Sequence, residues 1–233
     1  GSFEITYIPR DADPETIRNA GADADILFAD AISRVDGNVI RQMKNLKLIH
    51  SEGVAYNGID ADAARELGIY VCNNRGANAG AVAEQAVYLM LALLRSGIAG
   101  DRAVREGRQI EMKERLMTEG ITDLADCRVG LVGMGDIGQA TARCLQAFGC
   151  ELCYWSLHRR SPELEQELSL TWMPLERLAS SCDIISLHMA VTPDTTGIID
   201  ENFLSRMKKT AWLVNTARGD LVDNQAHRAA LVH

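Results

Sequence analysis

Arg128-Val129-Gly130-Leu131-Val132-Gly133-Met134-Gly135-Asp136-Ile137-Gly138, running on into Gln139-Ala140-Thr141-Ala142-Arg143-Cys144-Leu145, is the stretch on which the reading of the chain turns. Its opening residues read as a buried strand and its last as an amphipathic helix. Between them Gly133, Gly135 and Gly138 form G-x-G-x-x-G, the dinucleotide-binding fingerprint. Gly133 permits the tight turn, Gly135 lets the backbone approach a pyrophosphate, and Gly138 lets helix and strand pack closely, with the helix N-terminus aimed at the phosphates. Asp136 and Ile137 share that turn and join the three glycines as cofactor-binding candidates. A second apolar run, Leu152 to Trp155, follows at βαβ distance. The motif alone also fits a tight strand-to-helix turn that binds nothing.

In an NAD-binding unit a carboxylate stands at the end of the second strand and accepts hydrogen bonds from the adenosine ribose. Here that position, 18 residues beyond Gly138, is Ser156, and no carboxylate precedes Glu163. Leu157-His158-Arg159-Arg160 follows, a cluster of positive or potentially positive groups where a 2′-phosphate would lie. Ser156 can donate to that phosphate and an arginine can pair with it, which points to NADP, with NAD as the alternative. Arg159 and Arg160 are equal candidates, and a solvated charge run at the start of a helix is the plain reading of both.

The chain around this centre alternates strand and helix. Phe3 to Ile8 reads as a strand, Asp13-Pro14-Glu15 opens a helix, and Asp25 to Ala29 is a second strand with a short continuous apolar core. Val39 to Met43 suits a helix, Leu46 to His50 a strand, Ala61 to Leu67 a helix closed by Gly68, and Ile69 to Cys72 a strand. This order predicts an α/β fold with parallel sheets. Ser51 to Asp60 is a glycine-containing loop at the carboxyl end of a strand, where such sheets bind ligands. A long apolar helix, Ala81 to Arg95, then leads through the charged stretch Asp101 to Glu119 to the glycine turn.

With 233 residues, 47% hydrophobic and 24% charged, the chain has the makeup of an ordinary folded protein. A net charge of −8 argues against a nucleic-acid surface. Ala81 to Leu94 contains Glu84 and Gln85 and is too short to span a bilayer, so no membrane partner is expected. Gly1-Ser2 reads as a cloning scar and no signal peptide follows it. Six cysteines in or beside apolar runs read as reduced core thiols of a cytoplasmic protein. Cys150-x-x-Cys153 spans a strand whose alternation sends the two side chains to opposite faces, so no metal site is expected there.

The order of the pieces carries a resemblance. Leu46-Lys47-Leu48-Ile49, Gly53-Val54-Ala55-Tyr56-Asn57-Gly58-Ile59-Asp60, Ala63-Ala64, Gly68-Ile69, Val82-Ala83-Glu84, the glycine turn, Thr192-Pro193-Asp194-Thr195-Thr196 and Val214-Asn215-Thr216-Ala217-Arg218-Gly219 resemble the D-2-hydroxyacid dehydrogenases over nearly the whole chain. The resemblance implies a doubly wound Rossmann-type cofactor domain over 76–233 and a smaller flavodoxin-like substrate domain over 1–75, both incomplete. It implies a D-isomer-specific oxidoreductase moving a hydride between a nicotinamide cofactor and a small 2-oxo or 2-hydroxy acid such as glyoxylate, hydroxypyruvate or 3-phosphohydroxypyruvate. Arg218 would be the catalytic cation, its planar fork able to hold carboxylate and carbonyl oxygens together; read from residues alone it is a surface cation in a loop. Val54, Ala55 and Asn78 would bind substrate, and His188, Ala190, Thr195, Thr216 and Ala217 would line the cofactor cleft. The family usually carries proline where Ala190 stands.

Family members place a glutamate and a proton-donating histidine beyond the arginine segment, and this sequence stops at His233 ahead of both. Neither His227 nor His233 stands in the right context to replace them. The resemblance therefore implies a fragment with little catalytic power by itself, and a homodimer when full length, built on the helix Ala81 to Leu94. Two other readings remain open: a cofactor-sensing corepressor-like protein, since the family includes such members, and an inactive fragment that retains the cofactor loop.

Overall fold

Aspartates open the three helices of the amino-terminal unit in the computed structural model. Asp13 caps α1 (Pro14–Ala20) by accepting from the Thr16 amide, Asp36 caps α2 (Gly37–Gln42) from Asn38 and Val39, and Asp60 caps α3 (Ala61–Glu66) from Ala63. The structure describes residues 3–30, 33–54 and 56–232. The terminal Gly1-Ser2, the expected substrate amide of Ala55, and His233 lie outside the described residues.

Between these helices run β1 (Ile26–Ala29), β2 (Leu48–Ser51) and β3 (Tyr70–Asn73), a parallel sheet in the order β1-β2-β3. Leu27, Ile49 and Val71 stand opposite one another in the ladder and pack with Ile17, Val39, Ile40, Ala63 and Ala64 into one core. The other face of the sheet leaves Ile26, Phe28 and Tyr70 exposed. Gly68, at φ +70° just past α3, supplies the left-handed turn back into β3.

One expectation fails here. Phe3 to Ile8 is not a strand: Phe3, Ile5 and Tyr7 are exposed, and only Ile8 packs against the core. Alternation supplies a face, but a strand exists only through the ladder it makes with a neighbour, and no ladder among the described residues includes this segment.

The division into compact units falls between Ala77 and Asn78. The second unit begins with α4 (Ala79–Leu94), which breaks at Ser96, a non-glycine residue at φ +50°, into α5 (Gly97–Arg105) and then α6 (Gln109–Glu119). The charged stretch Asp101 to Glu119 is thus helical, with Arg102–Glu106 and Asp101–Arg105 paired one turn apart. No single helix among the described residues is long and apolar enough to cross a membrane.

The remaining elements form the doubly wound sheet. They are β4 (Arg128–Val132), α7 (Asp136–Gln146), β5 (Glu151–Trp155), α8 (Pro162–Glu167), β6 (Leu170–Trp172), α9 (Leu175–Ser181), β7 (Ile184–Leu187), α10 (Glu201–Arg206), β8 (Trp212–Asn215) and α11 (Asn224–Val232). The five strands are parallel in the order β6-β5-β4-β7-β8. Val129 and Leu131 of β4 face one core with Met90 of α4 and Leu145 of α7, while Val132 faces the other with Leu178 of α9 and Phe203 of α10. A parallel sheet covered on both faces needs apolar residues on both sides of each strand, which is why β4 and β7 read as continuous apolar runs. Gly130 is required by that packing, since a Cβ there would lie 2.6 Å from Leu178 and 2.8 Å from the Cys182 sulfur.

The cysteines divide on the same basis. Cys150 packs with the first of these cores and Cys153 belongs to the second, on the opposite face of the sheet. Cys127, Cys153 and Cys182 are buried and Cys144 and Cys150 half-buried, but Cys72 is exposed, a correction to the expectation of core thiols. Alternation alone does not say which face of a strand receives cover.

Candidate functional site

The strand order reverses at β4. Sheet order runs outward from β4 through β5 and β6 on one side and through β7 and β8 on the other, so the carboxyl ends of β4 and β7 flank a topological switch point, where open α/β sheets take ligands. The glycine turn follows β4 and His188 follows β7. The ladder continues past the strand ends, with the Gly133 amide donating to the Trp155 carbonyl at 2.8 Å and the His188 amide to that of Val132 at 2.7 Å. Gly133, Ser156 and His188 are thereby held at the carboxyl ends of three adjacent strands.

The three glycines of the turn are there for different reasons. Gly133 sits at φ +100°, and a Cβ on it would lie 2.6 Å from the His188 carbonyl oxygen. At Gly138 a Cβ would stand 2.3 Å from the Gly133 carbonyl oxygen, backbone against backbone. Gly135 caps α7 with φ −78° and ψ −161°, values open to any residue, and a Cβ there would meet nothing within 4 Å. The protein's own packing therefore explains Gly133 and Gly138 but not Gly135. A ligand approaching the backbone in front of α7 would explain it.

His188 is buried, and neither ring nitrogen has a hydrogen-bond partner among the described residues. Burial pushes its imidazole down to about 4, so the ring is neutral at pH 7. Thr216, just past β8, likewise keeps a buried hydroxyl without a partner. Buried polar atoms left unpaired in a protein cost free energy, and their clustering at the carboxyl ends of β7 and β8 fits a polar ligand.

The residues after β5 are arranged more selectively than the sequence indicates. Ser156 is buried and donates its hydroxyl hydrogen to the His158 carbonyl oxygen at 2.5 Å, so it can accept from a ligand while that bond lasts but not donate to one. Arg159 is committed elsewhere: Nε and one terminal nitrogen bind the two oxygens of Glu165, each at 2.9 Å, and its guanidinium lies 5.5 Å over the Trp172 ring. Arg159, then the Tyr154 hydroxyl at 2.6 Å, hold the Glu165 carboxyl down to about 2. Arg160 donates its amide to the Tyr154 hydroxyl at 2.8 Å, and its buried Nε has no partner among the described residues. His158 is exposed.

Three other expected site residues have local roles. Thr195 is buried with its hydroxyl inside its own loop, donating to the Ala190 carbonyl oxygen at 2.7 Å and accepting from the Thr192 amide at 2.7 Å. Ala190 itself is exposed. Arg218 is exposed and reaches only the Ala217 carbonyl, at 2.8 Å, while the Asn215 side chain shapes its loop by accepting from the Ala217 amide and donating to the Arg218 carbonyl. No carboxylate pairs with Arg218 among the described residues, which leaves its fork open for an anion.

The two compact units, which meet between Ala77 and Asn78, divide the expected substrate residues between them. In the first, Asn73 donates to the Val54 carbonyl at 2.7 Å, and Asn74 donates its side chain to Glu52 at 3.1 Å and its amide to Gly53 at 3.1 Å. Three successive carbonyls are thus held from one side, which fixes the loop carrying Val54. Sequence reasoning missed these asparagines, although two consecutive amides at the carboxyl end of β3 were a legible signal. Asn78 opens α4 in the second unit without a side-chain cap.

Comparison with known proteins supplies the family. Residues 87–233 match the family described as D-isomer specific 2-hydroxyacid dehydrogenase, NAD binding domain. The chain belongs to that family. Among curated D-2-hydroxyacid dehydrogenase relatives, the glyoxylate reductase of Korarchaeum cryptofilum is 36% identical over 98% of this chain and 69% of its own length. That of Thermococcus onnurineus is 38% identical over 90% of this chain and 63% of its own length. The apo-structure of D-lactate dehydrogenase from Escherichia coli superposes with a TM-score of 0.80 at 28% identity, over 94% of this chain and 68% of that one. The chain thus spans about two thirds of the length of the relatives it matches.

Proposed function

We propose that the protein of which these residues form part reduces a small 2-oxo acid, of the glyoxylate class, with a nicotinamide cofactor. The observation that carries the reading is Gly135, a glycine the fold does not require in front of a helix N-terminus. Gly133, Gly135, Asp136, Ile137 and Gly138 would hold the pyrophosphate of the dinucleotide, and His188 and Thr216 would complete the pocket. When bound, the cofactor supplies hydride to the carbonyl carbon. Arg218 would hold the carboxylate and carbonyl oxygens of the acid through its fork, stabilising negative charge as it develops on the carbonyl oxygen. The Val54 loop, fixed by Asn73 and Asn74, would present its amides to the carboxylate. His188 would not give the proton, since burial keeps its ring neutral at pH 7.

NADP is the cofactor that the residues after β5 favour. Ser156, not a carboxylate, stands directly after β5 where a ribose diol would be met, and Glu165 pairs with Arg159 but not with Arg160. Dissociation constants for NADPH and NADH test this. We expect tighter NADPH binding in the wild type, lost in Arg160→Ala and reversed by Ser156→Asp; tighter NADH binding in the wild type would overturn it.

We also propose a homodimer, on the helix read in the sequence together with an apolar patch that follows it in the chain. Ala83, Ala86 and Met90 of α4 are fully buried, whereas Ile98, Val104, Ile110, Met117 and Ile121 on and after α5 and α6 are exposed. Sedimentation of the wild type against Met117→Asp tests whether this patch joins two copies. Free thiols in the core fit a reducing compartment such as the cytoplasm.

A further inference from the structure

Tyr154 is fully buried on β5, opposite Leu131 of β4 and Trp172 of β6 in the ladder, yet it carries a hydroxyl that a phenylalanine would spare the core. That hydroxyl has two partners, both beyond the sheet. It donates to Glu165 of α8 at 2.6 Å and accepts from the Arg160 amide at 2.8 Å. The direction is forced at both ends. Arg159 binds the same carboxylate and Glu165 stays ionised at neutral pH, so it can only accept, while an amide N–H can only donate. The hydroxyl hydrogen therefore points at Glu165 and leaves a lone pair facing Arg160. For this the hydroxyl needs the carboxylate, not Arg159.

Ser156 makes the second tie, donating to the His158 carbonyl oxygen at 2.5 Å. The backbone between β5 and α8 is thus fixed to buried hydroxyls at His158 and at Arg160, and the buried Arg160 Nε has no partner among the described residues. A buried donor left without an acceptor has a place for one. We propose, resting on the NADP reading of this site, that Tyr154 is a positioning residue for coenzyme choice: its hydroxyl, oriented by Glu165, fixes the Arg160 backbone so that the guanidinium is set for the 2′-phosphate before NADPH arrives. Ordering a loop costs conformational entropy, and a loop already held in its bound form leaves that cost out of the binding step. NADH has no 2′-phosphate and gains nothing from a preset Arg160. Tyr154 acts through Arg160, so its effect falls on NADPH.

Dissociation constants for NADPH and NADH, measured on the whole chain by titration calorimetry, test this. We expect Tyr154→Phe, which keeps the ring, to weaken NADPH about tenfold and to leave NADH within about twofold. In an Arg160→Ala background the same substitution should cost NADPH under about twofold, because the group it positions is gone. Glu165→Gln still accepts the phenol hydrogen and should hold NADPH within about twofold, whereas Glu165→Ala should weaken it at least about threefold. The Glu165 pair gives the answer even if Tyr154→Phe does not fold. A wild type that prefers NADPH and keeps its full preference in Tyr154→Phe, or in Glu165→Ala should the first not fold, would overturn the role of Tyr154 and leave the NADP reading standing. Equal losses for NADPH and NADH, or a full loss repeated in the Arg160→Ala background, would also overturn it, by showing that the hydroxyl only supports packing. A wild type that binds NADH more tightly would overturn both.

Discussion

Replacing Gly135 by valine and Gly138 by alanine separates what the glycine turn does for the fold from what it does for a ligand. At Gly138 even one methyl would be forced to 2.3 Å from a backbone oxygen, which cannot swing aside. Overpacking of this kind costs about 1–3 kcal/mol, and backbone against backbone belongs at the upper end, a fall in Tm of about 5 °C or more for a domain of this size. At Gly135 the backbone angles suit valine and the added carbons would meet no protein atom within 4 Å. Losing a glycine cap to valine costs under about 1 kcal/mol and restricting the unfolded chain returns about 0.4–1 kcal/mol, so stability should stay within about 1 kcal/mol of wild type. The cofactor is where the valine is felt. Its methyl groups would fill the approach to the α7 N-terminus, and NADPH affinity should fall at least ~100-fold, about 2.7 kcal/mol. Thermal melts by circular dichroism and titration calorimetry on the same samples give both numbers. A folded Gly135→Val that binds NADPH within threefold of wild type would place the phosphate site elsewhere, and a Gly135→Val as unstable as Gly138→Ala would show that the fold needs this glycine after all.

Other outcomes follow from single groups. Because burial holds the folded His188 at about 4 while an unfolded histidine titrates near 6.5, the unfolded state binds the extra proton between those values, so the His188 contribution is intact above about pH 6.5 and is lost progressively down to about pH 4. The loss is at most about 3.5 kcal/mol, at ~1.4 kcal/mol per pH unit, and urea melts at pH 7 and pH 4.5 should show a slope that His188→Leu flattens; an unchanged slope would remove His188 as its source. Arg159→Ala, which breaks the pair with Glu165, should leave NADPH affinity within about twofold of wild type, and a tenfold loss would restore Arg159 as a phosphate ligand. In a catalytically competent form of the protein, Arg218→Lys should lower kcat at least ~100-fold with cofactor affinity unchanged, because lysine keeps the charge without the fork; an undiminished rate with every 2-oxo acid tried would exclude Arg218 from catalysis.

The sequence by itself determined the parallel α/β plan and the position of the glycine turn. Both rest on local requirements: a strand buried on two faces needs an unbroken apolar run such as Ile184 to Leu187, and a turn at positive φ with a close backbone approach needs glycine at Gly133 and Gly138. Helix starts were legible for the same reason, since a cap such as Asp13 acts within three residues of itself. What only the tertiary structure decided depends on partners distant in sequence. Phe3 to Ile8 has the alternation of a strand, but no ladder among the described residues includes it. Arg159 and Arg160 are equivalent as letters until α8 brings Glu165 onto one of them and leaves the other with a bare nitrogen. Cys72 and His50 stand 22 residues apart and meet only because β2 and β3 pair in that register, on the face the helices leave uncovered. Backbone preference is local and can be read along the chain, but which side chains share a face, a charge or a proton is set by packing between elements, and that is a property of the fold.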